Sequence, residues 1–174
     1  MNLKNGMILK INKAIRSDAQ EIISYLNIIG GESDNLLFGA NGFHMSVEAE
    51  ENFIENLSGS NTSALFIGKI DNEIACVGSV MAPQRERINH QAEISISVKK
   101  KFWGLGVATH LMQTIINYAK ANGQTQILHL GVIEDNLNAI SLYKKLGFVE
   151  IGRYKKFLKI NGQYKDEILM NLYL

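Results

Sequence analysis

Apolar residues recur along the chain with two periods, and each switch between them marks the edge of an element. Alternation over residues 9–15 predicts a first strand. Ser17-Asp18-Ala19-Gln20 follows, with the Ser-x-x-Gln spacing of a capping box, and predicts a helix that runs to about Ile29 and stops at Gly30-Gly31. Residues 32–45 are rich in Gly, Asn, Asp and Ser and read as a loop with a short helix inside it. Ser46 opens a second helix, with acidic residues in its first turn and Phe53, Ile54 and Leu57 on one side. Residues 64–70 and 73–82 are strands joined by Asp71-Asn72, a pair suited to a tight hairpin. In the next strand, 91–98, Ile94, Ile96 and Val98 point one way while Glu93, Ser95 and Ser97 point the other.

The clearest helix covers 106–120, where Ala108, Leu111, Met112, Ile115, Ile116 and Ala119 recur at helical spacing and Gly123 supplies a stop. Residues 126–133 read as a buried strand. Residues 136–146 form a short helix carrying Ala139, Leu142, Tyr143 and Leu146 on one face. Residues 148–160 and 164–174 make a hairpin around Asn161-Gly162, the strongest turn signal in the chain. Helices first, then an antiparallel meander, then strand–helix–strand–helix–strand, predict a mixed-sheet α/β fold of the α+β kind.

Composition narrows the picture. With 174 residues, 46% of them apolar, the chain is expected to build one core and one domain over 1–174. A net charge of +1 supplies no bulk attraction to nucleic acid or to an anionic membrane, so neither is an expected partner. A single cysteine, Cys76, leaves no internal disulfide and suits a reducing compartment. The sequence holds no signal-like leader and no run of about twenty apolar residues, so a cytoplasmic location is expected. His44, His90, His110 and His129 show no metal-ligand spacing, and no metal is expected.

The segment with chemical content is 98–111, VKKKFWGLGVATHL. Gly104 and Gly106 stand between a strand and a strong amphipathic helix. A turn there exposes backbone N–H groups at the positive end of a helix dipole, a cradle suited to pyrophosphate. A dinucleotide fingerprint would want Gly or Ala where Thr109 stands, and the P-loop would want Gly-Lys-Ser/Thr, which is absent. Phe102-Trp103-Gly104-Leu105-Gly106-Val107-Ala108 instead resembles the acetyl-CoA-binding signature of the GNAT superfamily of N-acetyltransferases, Arg/Gln-x-x-Gly-x-Gly/Ala. Trp103 takes the usual Arg/Gln position, as in the aromatic-Trp-Gly-x-Gly variant of that signature. Residues 92–98 resemble the family's fourth strand, and residues 136–148 its Asn-x-x-Ala-x-x-x-Tyr-x-x-x-Gly-Phe block. The resemblance runs in order along nearly the whole chain.

That resemblance implies a mostly antiparallel central sheet flanked by helices, with acetyl-CoA as co-substrate where two parallel strands splay apart. The implied reaction is direct acetyl transfer to the amine of a small molecule or peptide terminus. Rival readings are another acyl-CoA or an O-acceptor, or a non-catalytic acyl-CoA-binding regulator. Implied cofactor contacts are the backbone of Ile96, Ser97 and Val98; the turn Trp103, Gly104, Leu105, Gly106, Val107, Ala108 and Thr109; and Asn136, Tyr143 and Lys145. The amide of Ile96 or Val98 would polarise the thioester, and Lys99-Lys100-Lys101 would steer the anion or simply be solvated. Tyr143 is implied as the acid for the departing thiolate, although it also lies on an apolar stripe. Glu93 is the first candidate base, with a surface strand residue as the equal alternative; some relatives place a glutamate on the next strand, where this chain has Gly131. Glu32, Glu134, Asp166 and Glu167 stand in reserve as base or acceptor contacts. Asn136 is implied to hydrogen-bond the pantetheine arm, with N-capping of its helix as the alternative. The acceptor is expected to enter against residues 31–60 and the terminal hairpin, and a homodimer is a family habit. Cys76 is expected to be buried packing.

Overall fold

The structure, a computed structural model, describes residues 1–174. Its strands are β1 (Lys10–Lys13), β2 (Ala64–Ile70), β3 (Glu73–Met81), β4 (Gln91–Val98), β5 (Ile127–Ile133), β6 (Val149–Ile160) and β7 (Gln163–Tyr173). Its main helices are α1 (Ala19–Ile29), α2 (Val47–Ser58), α3 (Val107–Ala121) and α4 (Leu137–Lys145). The strands form one sheet in the order β1-β2-β3-β4-β5-β7-β6. Every pairing is antiparallel except β4 with β5.

Side chains alternate across the strands, so the sheet has two apolar faces to cover. On one, Leu111, Met112 and Ile115 of α3 and Ile140 of α4 bury Ile94 of β4, Leu128 and Leu130 of β5 and Met170 of β7. On the other, Ile22, Tyr25 and Ile29 of α1 and Ile54 of α2 bury Leu65, Ile67 and Val77, which belong to β2 and β3 alone. Each such fully buried side chain contributes about 1.5–3 kcal/mol by leaving water. The second helix pair therefore leaves the β4, β5 and β7 part of its face uncovered by helix.

The tight turns hold the positive φ angles that their residues tolerate. Asp71 and Asn72 have φ of 48° and 64° between β2 and β3, and Asn161 and Gly162 have 49° and 81° between β6 and β7. Ser46 caps α2, its Oγ accepting the Ala49 N–H at 3.1 Å.

Two expectations are corrected. No capping box forms at Ser17: residues Arg16–Asp18 make a 3₁₀ turn, and the Ile15 N–H donates to Asp18 Oδ2 at 3.0 Å. The shorter Asp18 side chain reaches back over that tight turn, and α1 starts after it. The segment 32–45 holds no helix. It folds back over the end of α1, where Asn27 Oδ1 accepts the Phe43 N–H at 3.2 Å. Gly30 makes that return feasible, since a Cβ there would stand 2.2 Å from the Gly39 carbonyl oxygen.

Cys76 is fully buried against Gly68, where a Cβ would lie 2.4 Å from its Sγ. Gly68→Ala is expected to destabilise the fold by about 1–3 kcal/mol through overpacking, lowering the thermal midpoint by several degrees. The cost should shrink when Cys76→Ala is added. An equal cost in both backgrounds, read by thermal unfolding, would place the strain elsewhere.

Candidate active site

The parallel ladder between β4 and β5 is short. It runs through Gln91↔Ile127, Ala92↔Leu128 and Glu93↔His129 and then ends, although both strands continue. The Lys99 N–H donates to the Ala75 carbonyl at 2.9 Å, which sets the hydrogen-bond phase of the β3–β4 ladder. In that phase Ser95 and Ser97 turn their backbone groups to β3, and Ile94, Ile96 and Val98 turn theirs toward β5. Beyond Glu93 there is no β5 partner in the ladder, so the N–H groups of Ile96 and Val98 face a gap. The Val98 carbonyl accepts the Trp103 indole N–H at 2.7 Å, which ties the strand end to the following turn. Ser97 serves its neighbours instead: its Oγ accepts the Tyr25 hydroxyl at 3.1 Å and donates to the Val77 carbonyl at 3.3 Å.

The turn from β4 to α3 holds Gly104 at φ 76° and Gly106 at φ 94°, a left-handed conformation that glycine adopts without penalty. Gly106 is the N-cap of α3. The first internal bond of the helix runs from the His110 N–H to the Gly106 carbonyl, and the N–H groups from Gly104 through Thr109 donate to no backbone acceptor. These are the orphan donors of a helix start, presented where the dipole is positive. The site thus fits an anionic diphosphate by the donors it leaves free. Trp103 is 45% exposed and lies under the Lys100 ammonium at 6.0 Å from its ring centroid.

The Lys99-Lys100-Lys101 run is divided. Lys99 pairs with Glu73 at 2.6 Å and Lys101 pairs with the same carboxylate, which holds Glu73 below its usual range. Only Lys100 is free of a carboxylate partner, so the run's steering field is smaller than its sequence implies. The Lys100 N–H donates to Glu32 Oε2 at 2.6 Å, so Glu32 joins the α1–α2 loop to the segment leading into the α3 turn. Lys145 is exposed on the last turn of α4. Asn136 is the N-cap of α4, its Oδ1 accepting the Ala139 N–H at 3.3 Å, which leaves its amide N–H donors unused.

Tyr143 of α4 is 7% exposed and packs on Phe148 with ring centroids 5.8 Å apart. Burial pushes its phenol up to about 12, so the neutral, proton-bearing form prevails at any working pH. Cys76 is buried and its thiol is likewise pushed up to about 12, which removes it as a nucleophile.

On the uncovered sheet face lies a cavity of about 390 Å³, floored by Glu93, His129, Gly131, Glu167 and Asn171, with Leu37 and Phe157 among its walls. Neither Glu93 nor Glu167 takes part in an ion pair, and no lysine or arginine lines the cavity. Burial first, then the charge of Glu93, raises the Glu167 carboxyl above the usual carboxylate range. Asn171 Oδ1 is buried without a hydrogen-bond partner. The other reserve carboxylates are used structurally: Glu134 and Asp166 both hold Arg153, at 2.7 and 3.4 Å, and Glu134 Oε1 accepts the Asp166 N–H at 3.0 Å. Sequence spacing left His129 without a role, and its place between Glu93 and Asn171 in register follows only from the strand order. No group of three or more His, Cys, Asp and Glu is arranged to hold a metal ion. No helix is long and apolar enough to cross a membrane.

Residues 35–148 match the family model described as the acetyltransferase (GNAT) family. The chain is 34% identical over 101 residues to the L-amino acid N-acetyltransferase AaaT of Escherichia coli K12, a match covering 58% of this chain and 62% of that protein. It is 31% identical over 108 residues to the spermidine N(1)-acetyltransferase of the same organism, covering 62% of this chain and 57% of the relative. The match thus spans about three fifths of the length of these curated relatives. Among solved structures, the GNAT-family acetyltransferase of Streptococcus pneumoniae superposes with a TM-score of 0.93 at 28% identity, over 96% of this chain and 100% of that one. The yncA protein of Salmonella typhimurium, solved with its cofactor acetyl-CoA, has a TM-score of 0.82 at 17% identity, over 95% and 94% of the two chains, and shows the shared fold. The free amides of the α3 turn, the interrupted β4–β5 ladder and the family match over residues 35–148 agree: the chain belongs to the GNAT family of acetyltransferases.

Proposed function

We propose that residues 1–174 act as one catalytic domain, an N-acetyltransferase that moves the acetyl group of acetyl-CoA directly to the amine of a small molecule or peptide terminus. The observation that carries this reading is the pairing of two sets of unused backbone donors along one path: the amides of residues 104–109 at the start of α3, and those of Ile96 and Val98 facing the β4–β5 gap. A cytoplasmic site of action suits the free thiol of Cys76.

When bound, acetyl-CoA supplies an activated acyl group as a thioester. The α3 turn holds the pyrophosphate, with Lys145 and Lys100 available to outer phosphates. Asn136 offers its spare amide N–H to the pantetheine arm. The Ile96 or Val98 N–H donates to the thioester oxygen as negative charge develops there, an oxyanion-hole role. The acceptor amine enters from the opposite, helix-free face, above Glu93 and Glu167. That pair takes up the amine's proton, with Glu93 the member that the family's fourth-strand habit favours. Tyr143 donates its phenolic proton to sulfur as the C–S bond breaks; with the phenol pushed up to about 12 and a thiol at about 8.5 the transfer is uphill alone, and reprotonation of the tyrosinate by the acceptor's N–H completes it.

The direct test is thiol release from acetyl-CoA in the presence of a mixed amine panel. Acceptor-dependent release is expected. Binding of acetyl-CoA with no release on any amine would contradict the transferase reading and leave an acyl-CoA-binding module. Tyr143→Phe is expected to lower kcat by about a hundredfold or more while acetyl-CoA still binds; an unchanged kcat would remove Tyr143 from the mechanism. Gly106→Val places a β-branched residue at φ 94° and should weaken acetyl-CoA binding about tenfold or more by turning the amides away. Calorimetric titration that gave wild-type affinity for this variant would place the pyrophosphate elsewhere.

A further inference from the structure

Gly131 lines the acceptor cavity with His129 and Leu130 of β5, two residues beyond the point where the β4–β5 ladder ends. The space for a side chain there is already taken. A Cβ built on Gly131 would stand 2.0 Å from Glu167 Oε1 and 2.3 Å from the Glu167 carboxyl carbon. Glu167 is opposite Ile133 in the β5–β7 register, yet its side chain leans along the strand to lie over Gly131. A glycine at 131 and a glutamate at 167 are therefore one device: the missing side chain on β5 is what lets β7 deliver a carboxylate to the same spot.

We infer that Glu167, reaching from β7 over Gly131, is the group that accepts the proton of the acceptor amine. The inference rests on the acetyltransferase reading and divides the roles within its carboxylate pair. Glu93 lies on the same face of β4 but is exposed, so water screens it; Glu167 is half-buried and takes part in no ion pair. A base works best when its own pKa approaches the operating pH, and Glu167 is the member moved in that direction, with Glu93 as part of the cause. The groups that face Glu167 are Glu93 from β4 and His129 from β5, with Tyr154 opposite it on β6 and Lys165 two residues away on β7. Lys165 pairs with Asp135, so no free cation opposes the raised carboxyl.

The proton balance is complete. The ammonium form of the acceptor gives one proton to the Glu167 carboxylate, which becomes a carboxylic acid and later releases it to solvent. The freed lone pair forms a C–N bond to the acetyl carbon, and the C–S bond breaks with its electron pair on sulfur. That thiolate takes the Tyr143 proton, and the tyrosinate recovers one from the second N–H of the former ammonium. The products are an amide, CoA thiol and one proton in solution.

The experiment compares the pH dependence of kcat/KM for the wild-type enzyme, Glu167→Gln, Glu93→Gln and Gly131→Ala on one amine that the wild type uses. Acetyl-CoA binding and thermal unfolding of each variant check that it is folded. Glu167→Gln is expected to lose the acidic limb and about a hundredfold or more in rate at neutral pH. Glu93→Gln should keep the limb but move it to lower pH, because removing a neighbouring negative charge makes Glu167 easier to ionise. Gly131→Ala adds no titrating group and should behave like Glu167→Gln, since the new methyl evicts the carboxylate. A limb that survives in Glu167→Gln and vanishes in Glu93→Gln would overturn the inference and leave the transferase reading standing. Failure of the wild type to transfer to any amine would overturn both.

Discussion

The site depends on one interruption of backbone pairing. A parallel strand pair normally satisfies its N–H and C=O groups along its whole length, and leaving them unpaired away from water is costly. Here β4 and β5 pair for three residues and then part. The antiparallel ladder of β4 with β3 continues to Val98, so β4 stays paired on that side while its other edge is left open. The gap that results passes from the α3 side of the sheet to the helix-free side. A thioester whose pyrophosphate is anchored at the α3 turn and an amine arriving from the other side can therefore meet in the gap, and the donors exposed by the break are available to the thioester oxygen.

Charge is distributed to match. The α3 turn offers backbone dipoles and a partly neutralised lysine run, with Glu73 absorbing Lys99 and Lys101. The acceptor side offers two carboxylates and a histidine with no cation. Such a lining favours an acceptor that arrives as a cation, and the apolar walls formed by Leu37 and Phe157 suit its carbon skeleton. The neighbouring anchors keep these parts in register. Glu32 joins the α1–α2 loop to the segment before α3 through the Lys100 N–H, and Glu134, Asp166 and Arg153 tie the long terminal hairpin to the end of β5.

Much of this was legible in the sequence because its determinants are local. Asp71-Asn72 and Asn161-Gly162 set their hairpins by positive φ within two residues, and the periodicity of α3 needed only its own fifteen positions. The glycine turn before α3 was legible for the same reason, and the N-cap that Asn136 forms was the alternative to its expected pantetheine contact. What escaped depends on strands distant in sequence. Glu167 lies over Gly131 only because β7 returns between β5 and β6; no spacing along the chain encodes that. The neutralisation of Lys99 and Lys101 needs Glu73 at the far end of β3. The misplaced cap of α1 is a finer failure: Ser17 and Asp18 are adjacent cappers, and a 3₁₀ turn decided between them.

In the proposed function, the unpaired amides on both sides of the break bind the acyl donor. Amide hydrogen exchange resolved by residue, with and without acetyl-CoA, measures this directly. New protection is expected at residues 104–109 and at Ile96 and Val98, with little change at Ser95 and Ser97, whose amides already belong to β3. Binding of acetyl-CoA that left the amides of 104–109, Ile96 and Val98 exchanging at their free rates would contradict it.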